Sequence, residues 1–283
     1  MTTRSHSFEL NKFIAALFLN LLISNTSFAD IDEIYRISVG ANLSNYNTEL
    51  SINSRDASID AIVDFEDDLG YDSDVNVGWI SALYRVGDLH HLKLTYTPLK
   101  RSASATNTSD LVIDGTTIKA GAFISSSVQT DIVDFSYIYS FYKTPNLEAG
   151  FSAGIYWLFN STNIFAAGQI QAEGEDQPAF VADYNSEQKL QAPMPLLGLS
   201  INYEITPAWR THASIRFLSV QLSETEGRIF SADIGGEYYF NDNWGMGLSL
   251  SSFDLDVEVK NIITSTSLGW AHNGIQIYAV FKY

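Results

Sequence analysis

Beyond residue 30, apolar residues recur at every second position, and no segment sustains a helical period. In GIQIYAVFKY (274–283), Ile275, Ile277, Ala279, Phe281 and Tyr283 form one row, and Gly274, Gln276, Tyr278, Val280 and Lys282 the other. In RISVGANL (36–43), Ile37, Val39, Ala41 and Leu43 oppose Arg36, Ser38, Gly40 and Asn42. The same period runs through 78–86, 90–96, 133–141, 147–157, 197–205, 209–217, 230–240 and 244–251. Successive side chains of a strand point to opposite faces, so each segment reads as a strand with one apolar and one polar face.

The connections sort by length. Gly87-Asp88, Lys143–Asn146, Thr206-Pro207 and Asn241–Asn243 are short and rich in turn formers. The others, roughly 44–75, 100–125, 160–192, 219–228 and 253–272, read as long polar loops. Short turns on one side and long loops on the other are the asymmetry of an outer-membrane barrel. The fold expected is therefore all-β, an antiparallel up-and-down transmembrane β-barrel of about ten strands. Eight or twelve strands stay open, since a long connection could hide a hairpin; 111–125 is the best place, with Asp114-Gly115 as its turn. Aromatic residues on the apolar face, among them Tyr84, Tyr139, Trp209, Tyr238, Trp244 and Phe281, cluster beside the short turns. That is the preference of amphipathic rings for a membrane–water boundary.

Composition narrows the reading. The 283 residues are 46% hydrophobic, carry a formal net charge of -17 and contain no cysteine. Disulfides, thiolate metal sites and cysteine nucleophiles are excluded, and the acidic balance argues against a nucleic-acid partner. Arg4 and Lys12 precede the apolar run 13–24, and Ser27 and Ala29 follow it, the layout of a cleavable export signal. Residues 1–29 are expected to be that signal and 30–283 the barrel.

FEDDLGYDSDVNVGWISALYRVGDLHHLKLTY (65–96) and APMPLLGLSINYEIT (192–206) resemble segments of an uncharacterised family of Gram-negative outer-membrane β-barrel proteins. The terminal IQIYAVFKY is similar to the last strand of such barrels. The resemblance implies an outer-membrane location, membrane lipids and lipopolysaccharide as surroundings, and recognition by the outer-membrane assembly machinery through Ile275, Ile277, Ala279, Phe281 and Tyr283. It implies no activity.

Candidate chemistry lies mainly on the polar face. Arg36, Arg85, His91, Lys93, Glu148, Glu204, Arg210, His212, Arg216, Asp233 and Glu237 would face the lumen. Charges of both signs in a narrow barrel should pair, which favours a closed polar lumen over a pore for hydrophilic solutes. Asp64, Glu66, Asp67 and Asp68 offer oxygen ligands for Ca²⁺ or Mg²⁺, but no EF-hand spacing accompanies them. Asp254, Asp256 and Glu258 form a smaller acidic stripe. No cofactor motif occurs. A lipid- or lipopolysaccharide-modifying enzyme would need a His–acid pair at the outer rim, where His272 is the sole histidine expected. The expected role is therefore non-enzymatic, structural or interactive at the cell surface.

Overall fold

The computed structural model describes residues 31–54, 60–108, 110–113, 116–172, 180–221, 225–260 and 264–283. The candidate export signal and the Asp114-Gly115 turn lie outside these residues. The strands are β1 (Tyr35–Ser54), β2 (Asp60–Asp64), β3 (Asp74–Gly87), β4 (His90–Thr106), β5 (Leu111–Ile113), β6 (Thr116–Ile118), β7 (Phe123–Lys143), β8 (Leu147–Ala172), β9 (Phe180–Thr206), β10 (Trp209–Gln221), β11 (Thr225–Tyr239), β12 (Trp244–Lys260) and β13 (Thr264–Lys282). Ten of them close a ring of antiparallel pairs in the order β1, β3, β4, β7, β8, β9, β10, β11, β12, β13. The ring shuts where Arg36–Ser54 of β1 pair with Lys282–Thr264 of β13. Each of the ten predicted segments falls within one ring strand, to within a residue at its end. The remaining three strands continue the sheet beyond the ends of ring strands: β2 pairs with β1 past β3, and a β5–β6 hairpin pairs with β8 past β7.

The outer face carries a continuous apolar band. Val39, Ile80, Leu94, Phe135, Ile155, Leu199, Ile215, Ile234, Leu248 and Ile277 all stand exposed on it. No aqueous surface carries so wide an apolar band, whereas a lipid bilayer requires one. At the short-turn end, which is periplasmic in barrels of this type, aromatic pairs ring the band. The ring centroids lie 5.2 Å apart for Tyr35 and Tyr84, and 5.0 Å apart for both Trp209–Tyr238 and Trp244–Phe281.

The long loops expected from the sequence are instead mostly strand. β1, β4, β7, β8, β9, β12 and β13 run on well past the apolar band. The inside–outside alternation continues, but its chemistry inverts. On β12, Met246, Leu248 and Leu250 point outward and Gly245, Gly247 and Ser249 inward. Six residues further on, Asp254 and Asp256 occupy the outward positions, and Phe253 and Leu255 are buried inside. Above the membrane the outer face meets water, so the interior must supply the apolar surface, as in any soluble sheet. The Asp254–Glu258 stripe is accordingly the wet face of a strand. On β1 the switch falls between Leu43 and Asn45.

This places the membrane boundary on single strands and makes it testable. Arginine at Val39, in the middle of the band, is expected to cost about 2–4 kcal/mol, and at Asn47, eight residues along the same strand, about 0–1 kcal/mol. Equilibrium urea unfolding in lipid vesicles measures both; equal losses would show that the band is misplaced.

One side of the barrel has a seam. β9 pairs with β10 only as far as Leu197↔Phe217, although β10 continues to Gln221. The Glu204 N–H bonds the Asn146 carbonyl at 2.8 Å, on the β8 side, so the odd-numbered residues of β9 turn their backbone groups toward β10. Continued register would set Ser219 against Pro195 and Gln221 against Pro193. Proline has no N–H to give at either position, so the ladder loses two donors where it stops.

Candidate functional site

The lumen is built in layers. At the short-turn end the chain enters through residues 31–34, which lie across the barrel mouth. Ile31 and Glu33 are buried there. The Arg85 guanidinium bonds the carbonyls of Ile31, Glu33 and Asp88, and Lys143 pairs with Asp32.

Above this mouth lie two ionic clusters. In the first, Glu33 accepts from Arg210 at 2.7 Å and lies 3.6 Å from Arg36, which also pairs with Glu237. Glu237 is fully buried and further accepts hydroxyl hydrogen bonds from Tyr239 and Tyr278, both at 2.8 Å. In the second, Glu148 is held by Arg85 at 3.2 Å and by Ser140 Oγ at 2.7 Å, with His91 Nε2 at 3.5 Å. Each carboxylate meets several donors, the condition under which buried charge is tolerated. Room for the large side chains comes from glycine: a Cβ at Gly247 would overlap the Tyr278 ring.

A cavity of about 300 Å³ runs through the lumen, lined from Glu33, Arg85 and Glu148 at the short-turn end to Tyr46, Phe253 and Trp270 at the other. His212 Nε2 lies 3.1 Å from Asp233, and Arg216 pairs with Asp134, which also accepts from Ser136 Oγ at 2.8 Å. Lys93 also lines the cavity, and its side chain is bare. Among the described residues it lies in no ion pair.

An apolar belt lines the far end of this cavity. Tyr46, Val77, Leu99, Ile132, Tyr156, Leu158, Met194, Leu196, Ile229, Phe253, Leu255 and Trp270 form one buried cluster, with Leu218 packed against it, so all ten ring strands contribute. His272 sits within this belt, stacked on Tyr46 and Phe253 at 4.9 and 5.4 Å. It is therefore an interior residue and not the rim histidine expected: its strand runs upward beyond it, from Thr264.

A second apolar cluster caps the barrel, where Phe65, Leu69 and Tyr71 pack with Leu111, Ile118, Ile124 and Val128. Arg101 fastens this cap. Its guanidinium pairs with Glu66, donates to the Asp72 carbonyl at 2.8 Å and to Thr48 Oγ1 at 3.0 Å, and lies 5.0 Å from the Tyr71 ring. Three of the four acidic candidates for a cation have their carboxylates engaged in the same turn, and Asp67 is exposed. Glu66 holds Arg101 and the Thr48 N–H, Asp64 accepts the Asp67 N–H, and Asp68 accepts the Asp64 N–H. Among the described residues no three His, Asp or Glu side chains converge as for a metal.

The structure thus brings together Arg36, Arg85, His91, Glu148, Arg210, His212, Arg216, Asp233 and Glu237 as interior partners of one another or of Glu33 and Asp134. It leaves Glu204 out: that residue is half-buried near a short turn, and no ion pair to it occurs among the described residues. Glu33, Asp134 and Arg101 were not anticipated. Glu33 precedes the first alternating segment, Asp134 is the one charge in the largely aromatic segment 133–141, and Arg101 lies in a stretch read as loop. On β13, Ile275, Ile277 and Ala279 are exposed on the outer row, with Phe281 half-buried against Trp244, and Tyr283 is exposed just past the strand's end.

No family model and no curated protein matches the sequence. Solved structures do resemble the fold. The outer membrane protease OmpT from Escherichia coli is similar over 92% of this chain and 100% of that chain, with a TM-score of 0.58 at 9% identity. The Pseudomonas putida toluene transporter TodX matches 88% of this chain and 89% of its own, with a TM-score of 0.38 at 10% identity. Ail, the attachment invasion locus protein of Yersinia pestis, matches 89% and 100%, with a TM-score of 0.27 at 8% identity. At such identities only the fold carries over, and the OmpT likeness is the one that carries it. The chain has the fold of a Gram-negative outer-membrane β-barrel.

Proposed function

We propose that the protein, once residues 1–29 are removed as its export signal, is an outer-membrane barrel closed to solutes that acts through its extracellular crown. Its C-terminal row, Ile275 to Tyr283, serves as the signal for the assembly machinery, and lipid and lipopolysaccharide surround it. The observation that carries this reading is the apolar belt to which all ten ring strands contribute. A hydrated path needs polar walls along its whole length, and here two ionic layers and the belt lie in series. The reading is non-enzymatic. The His91–Glu148 and His212–Asp233 pairs lie deep in the lumen, away from the rim where a lipid or peptide substrate would arrive.

Planar-bilayer recording tests closure. The refolded native protein is expected to show no steady single-channel openings. Reproducible ohmic steps would favour the alternative, a small pore for hydrophilic solutes.

A further inference from the structure

We infer that the cavity beneath the apolar belt is a binding site for a small amphiphilic carboxylate, its head group on Lys93 and its apolar body against the belt. The inference goes beyond the closed-barrel reading and rests on it, since an open lumen would flood the site.

Three observations carry it. The first is the unmatched ammonium. The neighbouring cavity charges have partners: Arg216 holds Asp134, Asp134 also takes the Ser136 hydroxyl, and His212 lies against Asp233. Lys93 has three donors and, among the described residues, neither an ion pair nor a hydrogen bond, although its side chain stands bare in the cavity. A cation so placed favours an acceptor that brings its own negative charge.

The second observation is the cavity's polarity. Its ceiling is apolar and aromatic, from Tyr46, Leu99, Ile132, Tyr156, Phe253 and Trp270. An ordinary inorganic anion would leave that ceiling against water, whereas a carboxylate with a short hydrocarbon body would cover it. The cavity, about 300 Å³ from the ionic clusters to the belt, lies at the lower end of small-molecule sites, which restricts the body to a short chain.

The third observation is the route. On the closed-barrel reading both ends of the lumen are shut, but the β9–β10 ladder stops at Leu197 and Phe217, which face lipid. Immediately above this point the inner side of the seam is lined by Leu196, Met194 and Leu218, members of the belt. An amphiphile dissolved in the outer leaflet meets apolar surface at every step from the seam to the ceiling.

The experiment is calorimetric titration of octanoate into the refolded native barrel in nonionic micelles, with 1-octanol as the neutral comparison. Native protein is expected to bind one octanoate saturably. Lys93→Met, which keeps the length and removes the charge, should weaken octanoate at least tenfold and leave octanol unchanged; if it does not refold, Lys93→Gln takes its place. No saturable octanoate heat, or equal octanoate affinity in native and variant, overturns the proposal, as does a cavity that holds water alone in crystals soaked with octanoate. Bilayer recording reports separately on closure, so an open barrel and an empty site are distinguishable.

Discussion

Glu237→Ala is expected to lower folding stability by about 3–5 kcal/mol, the usual consequence of removing one partner from a buried ion pair. Glu237 is fully buried and takes three donors: the Arg36 guanidinium and the hydroxyls of Tyr239 and Tyr278. Truncation leaves both hydroxyls without an acceptor, at about 1–3 kcal/mol for each group left unsatisfied. Arg36 keeps only Glu33, 3.6 Å away, and Glu33 already serves Arg210. Because the main penalty is the stranded guanidinium, the double change Arg36→Leu with Glu237→Leu should recover most of the loss, as apolar replacement of whole buried pairs often does. Urea unfolding of the three proteins in lipid vesicles measures this. A loss under about 1 kcal/mol in the single variant would mean that water reaches Glu237 and that the ionic layer is not sealed.

How far this architecture can be read from the sequence depends on which half of a strand is considered. In the membrane-spanning half, lipid outside and polar groups inside give a period of two with a constant sign, and WGMGLSLS and RISVGANL display it directly. In the upper half, the backbone keeps its phase while apolar and polar residues exchange faces, as from Leu250 outside to Phe253 inside on β12. A reader who follows the apolar row sees it end at Leu250 and infers a loop. Following the parity of positions instead shows Asp254 and Asp256 on the same outer row as Met246 and Leu248. The inversion is thus legible in FDLDVEV, but only once the membrane boundary is known. The interior charges divide similarly. Those on membrane-spanning strands are recognisable by parity, whereas Arg101 depends on the tertiary placement of the 65–72 turn, and Glu33 on an entering segment with no periodicity. That Lys93 would lack an ion pair among the described residues cannot be read from parity, because partner choice depends on which strands face each other across the ring.

Phe253→Ala is expected to cost about 3–5 kcal/mol, the range for deleting a buried aromatic ring, and still leave the barrel non-conducting. Phe253 joins the rings of the belt, with centroids 5.2 Å from Tyr156, 5.4 Å from His272 and 5.6 Å from Trp270. Its loss removes contacts from three aromatic neighbours at once and leaves a hole that the closed wall cannot collapse to fill. Phe151→Ala, on the lipid side where 43% of the residue is exposed, should cost less than half as much, since lipid chains fill the space. Conductance is a separate matter, because the barriers act in series. Below the belt, Arg36–Glu237 and Arg85–Glu148 still cross the lumen, and residues 31–34 still lie across its mouth. Urea unfolding and bilayer recording on the same preparation separate the two effects. Steady openings in Phe253→Ala alone would show that the belt is the sole barrier and the ionic layers are permeable to water and ions; a stability loss no larger than that of Phe151→Ala would show that the belt is not packed as a core.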